Sequence, residues 1–272
     1  MPELPEVEAT RRGVERAAAG QTLRELRIYD ARLRWPVDPT IPAQIAGLRL
    51  KAAQRRAKYL LLVLERGTLI VHLGMSGSLR ILPADTPLRK HDQFDLLLGN
   101  GTTLRFNDPR RFGSLHYTLE DAARHRLLQH LAPEPFNAHF DAAYLQRITR
   151  RRRVAIKQVL MNSRLVTGVG NIYASEALFR ARIHPRRRAG RLSGKECARL
   201  LRAVRAALTA AIRAGGTTLR DYVGTDGNPG AFRQKLYVYE RDGQPCRRCG
   251  TLIRRITQGH RSSYFCPQCQ PK

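Results

Sequence analysis

The tightest constraint on this chain is a cysteine pattern near its C-terminus. Cys246-Arg-Arg-Cys249, then sixteen residues, then Cys266-Pro-Gln-Cys269 makes two C-x-x-C knuckles. Each knuckle lets two thiolates converge, and four thiolates close a tetrahedral shell around zinc with no open position for catalysis. A disulfide framework would scatter its cysteines over a secreted fold, whereas four of the five here lie between 246 and 269. The spacing predicts a structural zinc ribbon. Residues 251–256 and 261–265 can pair as its hairpin, with Gln258, Gly259, His260 and Arg261 at or near the tip. Cys197 falls on a predicted helix face and reads as a buried apolar residue.

Charge narrows the partner. Forty-nine basic against 22 acidic residues give +27, which concentrates anions around the molecule and points to nucleic acid. The bases are clustered: 13 of them stand between Gln146 and Arg191 with a single acid, Glu176, and six stand beyond Gly243 with none. Two such runs in separate modules favour phosphate contact over a merely solvated face. The first eight residues are the reverse, with Glu3, Glu6 and Glu8 and no base. An acidic spot in a basic field is where proton chemistry on a bound polyanion can be placed. Arg outnumbers Lys by 42 to seven, partly a matter of base composition, so a surviving Lys marks a place where a compact or deprotonatable amine matters. Lys58 and Lys157 are the two of interest. No stretch approaches the roughly 18 apolar residues of a membrane span. The acidic start is unlike a secretion signal, so a cytoplasmic protein is expected.

A chain of 272 residues is long for one undivided core. Helical spacing runs over 3–19 behind Pro2 and stops at Gly20. From 22 to 117 the pattern turns to short β runs, at 23–28, 59–64, 68–73, 94–98 and 102–106, which suggests a sandwich or barrel. The Pro-rich passage 132–135 marks a hinge. Helices are expected over 142–150, 154–161, 171–182 and 194–214, the last opened by a capping box from Ser193 to Glu196. The reading is α+β and multidomain: an N-terminal domain over 1–132, a helical domain over 133–235 that ends in a Gly-rich stretch, and a ribbon over 236–272. The turn at 165–170 leads into a helix near Asn171, whose free N–H groups can hold a phosphate, although Gly-Asn is also plain capping.

At the N-terminus, loss of Met1 would free the secondary amine of Pro2. An α-amino group titrates near 8 against about 10.4 for Lys, so far more of it is nucleophilic at cell pH. Glu3 would place a carboxyl beside it. From the residues alone, Pro and Glu are also an ordinary helix start.

Six segments stand in the order found in bacterial formamidopyrimidine-DNA glycosylases: Met-Pro-Glu-Leu-Pro-Glu-Val-Glu, Arg-Arg-Ala-Lys-Tyr-Leu-Leu, His-Leu-Gly-Met-Ser-Gly, Asn-Asp-Pro-Arg-Arg-Phe-Gly, Gly-Val-Gly-Asn-Ile-Tyr and the four-cysteine ending. The chain resembles that family over essentially its full length. The resemblance implies a β-sandwich domain, a helix-two-turns-helix domain and a zinc ribbon, with duplex DNA between the domains. It implies excision of oxidised purines, chiefly 8-oxoguanine and formamidopyrimidines, followed by strand cleavage at the abasic sugar. Carried over by position, Pro2 forms an iminium at C1′, Glu3 protonates the opening sugar, Lys58 assists β-elimination and Arg261 δ-elimination.

The resemblance also assigns Met75, Arg110 and Phe112 to a wedge that fills the gap left by a flipped base. Without it, Met75 and Phe112 would read as core. His91, Arg152, Lys157, Asn171 and Arg261 match DNA contacts, and His72 and Tyr173 add phosphate bonds. The loop 217–230 corresponds to a lid over the flipped base, or else is a linker. Cofactors implied are one structural Zn2+ and no redox or organic group. The expected protein is a monomeric, nucleoid-associated cytoplasmic enzyme. Two rivals stand beside this reading: an endonuclease VIII-like lyase for oxidised pyrimidines, and a non-catalytic zinc-ribbon protein that binds nucleic acid.

Overall fold

The structure, a computed structural model, describes residues 2–217, 224–227 and 231–272. By contacts the chain divides into two compact units, Met1–Gln129 with Ile212–Arg233, and His130–Ala211 with Gln234–Lys272.

The first unit opens with α1 (Leu4–Ala18), which buries Leu4, Val7, Val14 and Ala18 along one stripe. Pro5 suits its first turn because no helical N–H is needed there. The chain leaves it through Gly20 at φ +82. Two four-stranded antiparallel sheets follow, with α2 (Ile41–Ile45) after the first strand. One sheet orders β1 (Leu23–Ile28), β6 (Asp92–Leu98), β7 (Thr102–Asn107) and β5 (Ser78–Pro83). The other orders β2 (Leu50–Arg56), β3 (Tyr59–Leu64), β4 (Thr68–His72) and β8 (Ser114–Thr118). Alternate residues of both, such as Leu60, Leu62, Leu64, Leu69, Phe94, Leu96 and Phe106, share one apolar core with α1.

The opening helix and five of the strands lie where hydrophobic alternation placed them. Strands β2, β5 and β8 carried too weak a pattern to be delimited. The sequence of β2, Leu-Lys-Ala-Ala-Gln-Arg-Arg, buries only Leu50 and Ala53.

The second unit holds α3 (Ala142–Thr149), α4 (Ile156–Met161), α5 (Asn171–Arg180) and most of α6 (Gly194–Arg213). At the start of α6 the predicted reciprocal cap is present: Ser193 N–H donates to Glu196 Oε2 at 2.8 Å, and Glu196 N–H to Ser193 Oγ at 3.2 Å. Cys197 is fully buried beside Leu200, Leu201 and Val204. The chain ends in the hairpin of β9 (Arg254–Gln258) and β10 (Arg261–Phe265). Its two-residue turn, Gly259 and His260, has φ of +53 and +58, the left-handed pair of a type I′ turn. Ile253, Tyr264, Cys246 and Cys266 pack with Phe179 of α5 and Val238, so the ribbon shares a core with the helix. No helix among the described residues is long and apolar enough to cross a membrane.

Candidate active site and zinc centre

In the first unit the site is built around the N-terminus of α1. Glu3, 2% exposed, is its N-cap. The carboxylate of Glu6, 1% exposed, accepts the Glu3 N–H at 2.8 Å through Oε2 and the Thr217 N–H at 2.7 Å through Oε1. One buried anion therefore joins the residue after Pro2 to the first residue of the Gly-rich loop. Gly216, at φ +89, lets the backbone come this close, since a Cβ there would stand 3.0 Å from Glu6 Cγ. The loop is held a second time where Thr225 O accepts the Ile81 N–H at 2.9 Å. Residues 218–223 and 228–230 of the predicted lid lie outside the described residues.

Lys58 sits in the tight β2–β3 turn, behind Ala57 at φ +58. Next to it in sequence, the Tyr59 ring lies 4.8 Å from that of His72. His72 Nδ1 accepts the Gly74 N–H at 3.1 Å, which leaves Nε2 as the hydrogen-bearing nitrogen. Burial, with the charges of Lys58 and Arg34, pushes the His72 pKa down to about 4. At neutral pH this imidazole is an uncharged donor, suited to a phosphate oxygen.

The wedge candidates share a scaffold. Met75 is 38% and Phe112 42% exposed, an unusual state for large apolar side chains on two tight loops. The Arg110 guanidinium lies 4.9 Å from the Phe112 ring centre. Beneath them Asp108, fully buried, accepts from Ser76 Oγ at 2.6 Å, the Arg110 N–H at 3.2 Å and the Gly113 N–H at 2.7 Å. One carboxylate thus ties the loop bearing Met75 to the loop bearing Arg110 and Phe112. His91, at φ +73, joins the group through its carbonyl, which accepts the Asp108 N–H at 3.0 Å.

The second unit has its own cluster. Lys157, 2% exposed, donates from Nζ to Asn171 Oδ1 at 2.6 Å, Ser262 O at 2.9 Å and Ser263 Oγ at 2.7 Å. It ties α4 to the first residue of α5 and to the strand headed by Arg261. Arg261 itself is exposed at the hairpin tip. Arg152 is exposed after α3, with Nε on Ile148 O at 2.6 Å. The Tyr173 side chain is 1% exposed and packs inside.

The four cysteines have the geometry of a zinc site. Cys246, Cys249, Cys266 and Cys269 bring their sulfurs within 4.8 Å of one another, with separations of 4.0, 3.4 and 3.5 Å across the two knuckles. A tetrahedron with Zn–S bonds of about 2.3 Å has edges of about 3.8 Å, so the set fits. The inward N–H groups of Arg248 and Cys269, each 3.4 Å from a ligand sulfur, suit thiolates.

Family models match the chain in three consecutive pieces. Residues 1–115 match the formamidopyrimidine-DNA glycosylase N-terminal domain, 131–223 the H2TH domain of the same enzymes, and 243–272 the zinc finger found in FPG and IleRS. A formamidopyrimidine-DNA glycosylase of Thioalkalivibrio sulfidiphilus is 54% identical over 270 residues, covering 99% of this chain and all of its own. The chain belongs to the formamidopyrimidine-DNA glycosylase family. Among solved structures, the Thermus thermophilus glycosylase superposes with a TM-score of 0.89 at 41% identity, covering 100% of this chain and 99% of its own. The Lactococcus lactis glycosylase bound to DNA containing an abasic site superposes at 0.92 with 31% identity, both chains covered in full. One structural zinc belongs to the fold of this glycosylase.

Three carboxylates have structural roles that the sequence alone does not show. Glu6 stands in an acidic start, at the capping-box spacing from Glu3. Asp108 lies inside Asn-Asp-Pro-Arg-Arg. Glu176 is the lone acid in a basic run, and the structure shows why an acid stands there. Fully buried, it accepts the N–H groups of Tyr237, Val238 and Tyr239 at 2.9 to 3.1 Å and so anchors the segment leading to the ribbon. Its pKa is raised by burial, against the lowering by those three N–H groups.

Proposed function

We propose that the chain is a bifunctional base-excision repair enzyme that removes oxidised purines from duplex DNA through a covalent intermediate at Pro2 and then nicks the strand. The observation that carries this reading is the Glu3–Glu6–Thr217 arrangement, which fixes the residue beside Pro2 and the root of a Gly-rich loop with a single buried carboxylate. The exposed Met75 and Phe112 on a common scaffold in the same unit support base flipping.

Once Met1 is removed, the Pro2 nitrogen attacks C1′, the glycosidic bond breaks, and the base leaves with its electron pair and a proton. Glu3 protonates the ring oxygen as the sugar opens to an iminium. The iminium acidifies the C2′ proton, so its removal expels the 3′ phosphate, assisted by Lys58. A second elimination, assisted by Arg261, expels the 5′ phosphate. His72, His91, Arg152 and Asn171 hold the backbone, while Lys157, its three N–H groups taken by Asn171, Ser262 and Ser263, fixes Asn171 from inside the fold, where Tyr173 also packs. Met75, Arg110 and Phe112 occupy the gap, Arg110 satisfying the orphaned cytosine. In functional terms the modules are 1–132, 133–235 and 236–272. The enzyme works as a monomer in the cytoplasm, at the nucleoid.

A second substrate class has an observation in its favour, because a Lactococcus lactis relative was solved with DNA containing an oxidised pyrimidine. Product analysis on 8-oxoguanine:C and thymine-glycol duplexes separates the two. Faster release of 8-oxoguanine supports the reading; cleavage of thymine glycol alone overturns it.

A further inference from the structure

Past the C-terminal end of α5 the chain turns back at Arg182, φ +54, and runs through His184-Pro-Arg-Arg-Arg-Ala-Gly-Arg191. His184, Arg186, Arg187, Arg188, Arg191 and Lys272 line one cavity of about 370 Å³. Its backbone is fixed, since the Ile156 N–H donates to Arg187 O at 2.8 Å and Ala155 bridges Arg188. The ion pair found there among the described residues is Arg187–Glu196, at 3.4 Å. Five side-chain cations against that one side-chain carboxylate leave a net side-chain charge of four.

Two further features point to an anionic ligand. Arg187 Nε is buried and has no hydrogen-bond partner among the described residues, while Nη2 of the same guanidinium reaches Arg191 O at 3.3 Å and Glu196, so the group has donor capacity left over. His184 Nδ1 accepts the Arg186 N–H at 3.1 Å, leaving Nε2 to carry the hydrogen, and His184 is 4% exposed. Burial and the charges of Lys272 and Arg186 lower its pKa, so it stays a neutral donor. Planar guanidiniums with a neutral N–H donor match a phosphoryl group better than a monovalent anion.

The cavity lies apart from the Lys157–Asn171 cluster, while Arg152 is its neighbour, its carbonyl accepting the Gly190 N–H at 3.0 Å. Asn171 and Lys157 stand at the N-terminal end of α5, and its ten residues at about 1.5 Å each put the two ends about 15 Å apart. We propose that the His184–Arg191 cavity is a second phosphoryl-binding site, distinct from the lesion site, with cations enough for a pyrophosphate-like group. Two sources share that chemistry: a free phosphate ester, and a backbone phosphate of DNA beyond the lesion.

The test is calorimetric titration of the full zinc-loaded chain with inorganic pyrophosphate. Three proteins are compared: the wild type, the double variant Arg188→Ser/Arg191→Ser, and a charge-matched control, Lys195→Ser/Arg202→Ser, outside the cavity. All four substituted side chains are exposed, and thermal melts confirm that the variants fold. The single variant Arg186→Ser gives an independent reading. We expect one wild-type site at least tenfold tighter than in the cavity double variant, kept in the control and weakened in Arg186→Ser. Equal loss in control and cavity variants, or no such site in the wild type, overturns the proposal, because general attraction to a +27 chain would then suffice. Repeating the titration with a bound 12- or 40-base-pair duplex identifies the source. Loss of the site only with the longer duplex assigns it to backbone phosphate, and retention with both assigns it to a free ester.

Discussion

Glu6 Oε1 accepts the backbone N–H of Thr217 at 2.7 Å, across a sequence separation of 211 residues. The same carboxylate holds the N–H of Glu3. In Glu6→Gln the amide nitrogen faces an N–H it cannot accept, so one charge-assisted hydrogen bond is lost, about 1.5–3 kcal/mol. We expect single-turnover release of 8-oxoguanine to slow at least tenfold and Glu6→Asp to recover part of the loss. Rapid-quench kinetics on a lesion duplex check this; wild-type rates in Glu6→Gln would show that the clamp is irrelevant to base release.

Asp108 ties the loop bearing Met75 to the loop bearing Arg110 and Phe112, the proposed wedge. In Asp108→Asn one oxygen is replaced by a donor facing the N–H groups of Arg110 and Gly113 or the Ser76 hydroxyl. In the proposed mechanism, flipping from a duplex depends on those loops, whereas reaction at an abasic site in single-stranded DNA does not. Excision from duplex should fall by one to two orders of magnitude while covalent trapping on a single-stranded abasic site stays near wild type. Equal losses on both substrates would assign Asp108 to folding alone.

Two partly buried imidazoles set an acid limit on stability. His72 and His116 are both held near a pKa of 4, His116 by burial and by the neighbouring His125 and Arg126. Their folded values lie below the unfolded value of about 6.5, so below that pH the unfolded chain takes up protons that the folded one does not. Stability contributed by each is full above pH 6.5 and is lost as pH falls toward 4, by up to about 1.4 kcal/mol per unit for His72 and by less for His116, which solvent screens. His116→Gln should therefore flatten the decline of Tm between pH 6.5 and 4, measured by calorimetry. A slope unchanged by the substitution would contradict the burial argument.

Zinc holds the hairpin that presents Arg261. Chelation, or Cys266→Ser, should release about one zinc per chain by elemental analysis, lower Tm and weaken DNA binding. Residual nicking should shift toward products of the first elimination. Zinc-free protein with an unchanged melt and product pattern would refute a structural metal.

Some of this was legible before any coordinates. The cysteine spacing, the capping box at Ser193 and the stripe of α1 are short-range patterns, fixed by local geometry. So were the exposed basic runs. Charges that act across the fold were not legible. Glu6 meets Thr217, Lys157 meets Ser262, and Glu176 meets Tyr237 only after folding, and nothing in the local sequence encodes those partners. Lys157 was singled out for the chemistry of its amine, and the structure places that amine inside, on three oxygen acceptors. Weakly patterned strands such as β2 were hard to delimit because their burial comes from one apolar face on a largely polar sequence.

The central claim is a bond between the Pro2 nitrogen and C1′ of the damaged nucleotide. Borohydride reduction of the processed enzyme mixed with 8-oxoguanine duplex, followed by peptide mapping, tests it directly. One covalent adduct is expected, on the N-terminal peptide at Pro2, absent in Pro2→Gly. An adduct mapping to Lys58, or full-rate excision by protein that keeps Met1, would contradict it.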